Sequence, residues 1–361
     1  MLFLTRLFGV TGTDAERTTV GEQAIVDEIV EKVLAMQAKA AADQRQPLRR
    51  GTHAKGICVR AEFEVLDATV GRDPALAARL AKGIFAKPGV YPAVVRFANA
   101  DSKINSDFKA DVRSLSFSID LTREGTAASE LGVDRQDFSL QNARNLPIND
   151  ATAFLAIMKL LTASNPAAGL LSIPFKDKLR IFRTLALVQL QAHQKIKPYQ
   201  QLRYWSNTPY RHGPHDVVMH SATPSPENSA RPLDRKNPNG LREELIRHLR
   251  EDGKPARFDF AVQFLDADRM TYWGKRQNAN FWIENASVKW DEAQVPFHTV
   301  ARLTLVPKSQ LPPETGEATF IDVTGNASPD CRPVGSINRA RQHGELASRK
   351  ARLATMGASK S

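Results

Sequence analysis

The string Arg50-Gly-Thr-His-Ala-Lys-Gly56 sets a histidine just ahead of an alternating segment, Ile57 to Leu66. Imidazole is the side chain whose ordinary pKa lies nearest neutrality, so His53 is a candidate acid–base group. A lone histidine beside a strand is more often structural, and its surroundings decide between the two. Two neighbouring amides, Gln141 and Asn142, could hydrogen-bond a ligand oxygen while the histidine moves protons. Near the C-terminus, Arg341 and Glu345 stand four apart in a helical pattern, which puts both on one helix face. A salt bridge is the plain reading of that pair. His212, His215 and His220 cluster without Cys, Asp or Glu at ligand-like spacing, which favours a loop over a metal site.

The elements around these groups follow from periodicity. Residues 22 to 42 carry Ile25, Ile29, Val33 and Met36 at helical spacing, predicting an amphipathic helix. Strands with one buried face are predicted over Ile57 to Leu66, Ala93 to Ala98, Arg113 to Leu121, Ala256 to Leu265 and Val295 to Val306. A helix beginning with proline is expected over Pro74 to Phe85, and another over Asn239 to Arg250. The stretch from Asp150 to about His193 reads as helical, broken near Asn165-Pro166 and Pro174. Strands from both halves of the chain argue for one barrel with helical insertions. The expected organisation is a helical arm over 1–44, a barrel domain over 45–355 and a short tail over 356–361.

Composition narrows the rest. The chain has 361 residues, 42% hydrophobic, enough for a sizeable core. Cys58 and Cys331 form neither a metal motif nor a disulfide framework. The opening MLFLTRLFGV is too short to span a bilayer, and a soluble, cytoplasmic protein is expected. No dinucleotide fingerprint, phosphate loop, nucleophile elbow or H-E-x-x-H is present. The formal charge is +11, and from Arg332 onward seven Lys/Arg face Glu345 alone. A solvated helix face is the ordinary meaning of such a run, and an anionic partner the alternative. Nucleic acid has only this charge in its favour.

Taken in order, several strings resemble the catalase superfamily, in its short, single-domain branch of haem peroxidases. Arg50 to Gly56 is similar to the element R-x-x-H-A-K-G, with Thr52 as in the coral allene oxide synthase branch; an ordinary strand threonine is the alternative there. Arg96-Phe97, then Asp111-Val-Arg113, resembles the run from R-F-S into R-D-x-R-G. Asp137 to Phe154 resembles the stretch holding the distal amide and a phenyl ring stacked on the porphyrin; Gln141 takes the place of the usual asparagine. Tyr204 to Gly213 resembles a string that marks the short branch. Arg332-Pro-Val-Gly-Ser-Ile-Asn-Arg-Ala-Arg341 is similar to the segment introducing the proximal helix, with Ser336 as its expected N-cap.

The resemblance implies an α+β fold, a catalase-like antiparallel β-barrel with surrounding helices. It implies haem b as cofactor and a peroxide or hydroperoxide as substrate. His53, Gln141 and Asn142 would do the chemistry, and Arg50, Thr52, Arg113, Phe154, Arg341 and Arg352 would hold the cofactor. One position departs from the pattern: the iron-binding tyrosine is replaced by Glu345, and all five tyrosines lie upstream of this helix. His343, two residues earlier, turns about 200 degrees away. A haem-free protein of the same fold that binds a hydrophobic or anionic ligand or a partner, without catalase activity, is the competing expectation. Either reading leaves room for a homodimer or for contact with a membrane surface, without a transmembrane segment.

Overall fold

A computed structural model describes residues 16–122, 130–162 and 175–358. Eight strands close into an antiparallel barrel. Around the ring run β4 (Arg135–Gln141), β3 (Arg113–Asp120), β2 (Gly89–Asn99), β1 (Gly56–Val65), β11 (Phe297–Gln310), β8 (Ala256–Phe264), β7 (Asp216–Pro224) and β5 (Tyr204–Trp205). The short β5 pairs with β4 through Gln141 and Trp205, and with β7 through Ser221 and Ala222, so it is the seam of the ring. β6 (Tyr210–His212) adds to the other edge of β7. A small hairpin, β9 (Thr271–Tyr272) and β10 (Lys275–Arg276), stands apart.

Alternation explains the long strands. In β8, Ala256, Phe258, Phe260 and Val262 are buried, while Arg257 and Asp259 face out. In β1, Phe63 and Val65 point inward and Glu62 and Glu64 do not; Glu64 meets Arg302 of β11 across the strand pair. The interior is aromatic: Phe63, Phe117, Phe138 and Phe260 pack with ring centroids 5.2–6.5 Å apart.

Eight helices surround the strands among the described residues: α1 (Glu22–Gln44), α2 (Pro74–Leu80), α3 (Ala151–Thr162), α4 (Phe175–Ala192), α5 (Gly240–Ile246), α6 (Ala279–Glu284), α7 (Pro313–Ala318) and α8 (Ser336–Ala358). Asp73 caps α2 by accepting from the amides of Ala75 and Leu76, with Pro74 as first helical residue. The predicted helix over 74–85 ends earlier, at Leu80, and a short 3₁₀ turn carries Gly83–Phe85. The expected helix breaks at Asn165-Pro166 and Pro174 lie outside the described residues. No helix among the described residues is long and apolar enough to cross a membrane.

Helices α1, α3 and α8 share an apolar layer of Val26, Ile29, Leu155, Met158 and Ala340. α1 is thus packed on the barrel domain through α8. Among the described residues, several cations of the basic C-terminal stretch are paired within the protein, while Lys350 faces out. Arg339 grips Glu16, Glu22 and Glu284 at 2.5–3.2 Å, Arg332 reaches Glu16 and Arg341 reaches Glu345. Arg349 lies over the Phe320 ring at 4.2 Å.

Candidate functional site

Between the barrel wall and the α1–α3–α8 layer lies a cavity of about 270 Å³. Its floor is polar: Ser114 and Ser116 come from β3, and Ser139 and Gln141 from β4. The hydroxyls of Ser116 and Ser139 meet at 2.9 Å. Its walls are apolar, with Ile29 and Val33 of α1, Phe154 of α3, Phe320, and Ile337 and Ala340 of α8. Arg50, Arg96, Arg341, Arg349 and Arg352 also line it, against Glu345 as the single acid among the described residues. Such a space suits a mostly apolar ligand that carries negative charge.

His53 enters from the segment before β1 with φ +58°, a left-handed conformation that few non-glycine residues adopt. The backbone is fixed there from two sides. His53 N–H donates to the Ala100 carbonyl at 3.0 Å, and Arg96 Nη2 donates to the His53 carbonyl at 2.8 Å. Nδ1 lies 3.1 Å from Thr52 Oγ1, while Nε2 is buried with no hydrogen-bond partner in the protein. Burial, with the charges of Arg96, Arg341 and Arg50, pushes the imidazole down to about 3. At ordinary pH the ring is therefore neutral. In the tautomer that carries its proton on Nδ1 and donates it to Thr52, the Nε2 lone pair is presented to the cavity. Replacing Thr52 with valine should loosen this tautomer and slow any His53-dependent proton transfer about fivefold, read as a fall in kcat. An unchanged kcat would remove Thr52 from that role.

Across from His53, α8 presents Arg341 and Glu345. Arg341 Nε donates to Glu345 Oε1 at 2.6 Å, and that carboxylate helps hold the guanidinium charged against burial. His343 is exposed on another face of the helix and does not line the cavity. No tyrosine lines it either. Tyr210 feels the Arg341–Glu345 pair but sits inside the barrel, its ring tilted against His220 with centroids 4.8 Å apart. Burial pushes its phenol up to about 12.

Most of the residues predicted from sequence come together here: Arg50, Thr52, His53, Gln141, Phe154, Arg341, Glu345 and Arg352 all line the cavity. Two do not. Arg113 is fully buried and turns away, its guanidinium donating to the carbonyls of Asp107 at 2.7 Å and Lys109 at 3.2 Å. Asn142 accepts from the Arg113 amide at 2.7 Å and so braces that turn instead of facing a ligand. Ser336 is not the N-cap: it is the first helical residue, following Gly335 at φ +93°, and its hydroxyl accepts from the Ala151 amide.

Other lining residues had no role in the sequence reading. Ser206, Asn207 and Thr208 belong to the string Tyr204 to Gly213 and form one edge of the cavity. Thr208 Oγ1 bonds to Asn338 of α8 at 3.2 Å. The polar run Ser-Asn-Thr was the available signal. The histidine cluster disperses: His212 and His220 are core rings, and His215 is exposed. Among the described residues no three His, Cys, Asp or Glu side chains gather as a metal site.

Three solved structures share this architecture. Catalase A from Saccharomyces cerevisiae aligns over 87% of the chain with a TM-score of 0.59 and 16% identity. The fold is that of the catalases. A fungal catalase aligns over 88% with a TM-score of 0.60 and 16% identity, and a bacterial catalase over 87% with a TM-score of 0.56 and 17% identity. The chain spans about three fifths of their own length, covering 62%, 61% and 59% of them. No family model matches the sequence. No curated protein matches it.

Proposed function

We propose that this chain is a catalase-related haem protein that reacts with a peroxide, either hydrogen peroxide or an organic hydroperoxide. The observation that carries the reading is His53 Nε2, a buried, neutral and unpartnered nitrogen facing a cavity rimmed by arginines. His212 and His220 also leave Nδ1 without a partner, but inside the aromatic core; His53 is the one whose free nitrogen belongs to a residue lining the cavity. The chemistry of the lining suits haem b: apolar walls, with Phe154 among them, would meet the ring, and Arg50, Arg349 and Arg352 would meet its carboxylates. Bound haem would supply a redox-active iron for peroxide cleavage.

The protein's own part is proton handling and orientation. His53 takes a proton from one peroxide oxygen and returns it to the other. Gln141, one methylene longer than asparagine, offers its amide as a donor to the same oxygens. Glu345 takes the register of the tyrosine, its carboxylate steadied by Arg341. A carboxylate is a weaker donor than a phenolate, so loosely held haem is expected.

A pyridine haemochromogen assay and a Soret spectrum, after expression with haem supplied, test the proposal; failure to find stoichiometric haem would sink it. In the haem-bound protein, Glu345→Tyr should move the spectrum towards phenolate ligation and raise peroxide turnover, and Glu345→Ala should weaken retention. Indifference to both changes would take Glu345 out of the coordination sphere.

One observation favours a second reading. The 2.6 Å Arg341–Glu345 bond leaves the proximal face closed on itself. In a haem-free protein the same cavity would hold an amphiphilic acid, its chain on Ile29, Val33 and Ile337 and its carboxylate on the arginines. Native mass spectrometry of the purified protein separates the two by the mass retained.

A further inference from the structure

The hairpin β9–β10 turns through Trp273 and Gly274, at φ +53° and +74°. Two positive φ values define the tight turn that such hairpins favour, and its first position suits asparagine or aspartate. A tryptophan there is strained, and this one gains no burial in return: it is 84% exposed. Nothing in the fold explains it.

Beside it, α4 shows the same anomaly. Leu179, Phe182 and Leu190 are 62%, 54% and 70% exposed, and helical spacing puts them in one stripe. The opposite face is satisfied, with Ile181 and Leu185 packed on Ile157 and Leu160 of α3. Arg183, within the stripe, reaches the Tyr272 hydroxyl at 3.5 Å, which brings helix and hairpin to one surface. Lys275, Arg276 and Arg183 around that surface are all exposed.

We propose that this surface docks on an anionic lipid membrane, with Trp273, Phe182, Leu179 and Leu190 entering the interface and the cations meeting headgroup phosphates. Tryptophan and long basic side chains have one apolar and one polar part, the combination that an interface rewards. A second copy of the chain is the poorer occupant, because a two-fold contact would bring both copies' Lys275, Arg276 and Arg183 into one interface. The inference is independent of haem.

The test is co-sedimentation of the whole protein with phosphatidylcholine vesicles, with and without phosphatidylglycerol. Binding should require the anionic lipid and weaken with salt. Replacing Lys275 and Arg276 together by glutamine should weaken it about 25-fold, at about fivefold per charge. Trp273→Asn relieves the strained turn, so the protein should melt no lower than the parent, while vesicle binding falls about tenfold. Binding to neither vesicle, equal binding to both, or indifference to these changes would overturn the proposal. So would a dimer, seen by size exclusion with light scattering, that Trp273→Asn dissolves.

Discussion

Replacing His53 with glutamine should lower the rate of peroxide consumption by about 10²–10⁴-fold, the usual worth of a positioned acid–base group. Glutamine keeps a hydrogen-bonding group at the site but cannot carry a proton between oxygens. Because the backbone there is held by Ala100 and Arg96, the substitution should change the chemistry more than the fold. The pH profile sharpens the test. His53 titrates near 3 and is neutral above that, so the parent rate should show no His53-dependent loss between pH 5 and 8. A rate limb near pH 6 that vanishes in His53→Gln would contradict the environment described for this ring. A variant as fast as the parent would end the assignment.

Acid should unfold the protein steeply, and the barrel histidines should be a main cause. Burial lowers His220 to about 3 and His212 to about 4, whereas both return to about 6.5 in the unfolded chain. Above pH 6.5 neither state binds the extra proton, and the stabilisation is complete. Below it the unfolded chain takes protons that the folded barrel refuses, so stability falls until the folded values are reached. Each ring contributes at most about 1.4 kcal/mol per pH unit over that range. Asp137 opposes them: burial raises it to about 6, so the folded protein takes up its proton first and gains stability as pH drops from 6 towards 4. His53, lowered to about 3, acts in the same sense as His220 and His212, so three rings against one carboxylate leave a net slope of roughly two histidines. His220→Phe, among Phe138, Tyr210 and Phe260, should fit the aromatic core and remove about half of that slope. Urea midpoints at pH 7, 6 and 5 check it, and an unchanged slope would clear His220.

The parts of the fold legible in sequence were those with a period. β1, β8 and β11 alternate because one face of each looks into the barrel and the other outward, and α1 carries a helical stripe for the same reason. β4 and β7 do not alternate. Residues 136–140 of β4 and 217–222 of β7 are buried without a break, since segments such as 322–328 cover β4 from outside and Asp137 accepts from Asp322 and Asn326 there. β5 and β6, of two and three residues, are too short for any period.

The candidate site was readable where a motif fixed both position and direction, as around His53 and along α8. It failed at Arg113 and Asn142. These lie on or beside the correct strands, but one alternation away from the cavity, where Ser114 and Gln141 face in. A linear motif gives the strand; only the pleat gives the side.

The seam at β5 has a bearing on how anything enters or leaves. Two residues join β4 to β7, and the next three, Ser206 to Thr208, form an edge of the cavity. Local unzipping needs few bonds to break there, so the rim of the cavity is also where the ring opens at least expense. An occupant braced on Asn207 and Thr208 would clamp both. Amide exchange at Trp205 and Ser206 should then slow on loading, reporting occupancy from the backbone while the rest of the barrel stays silent.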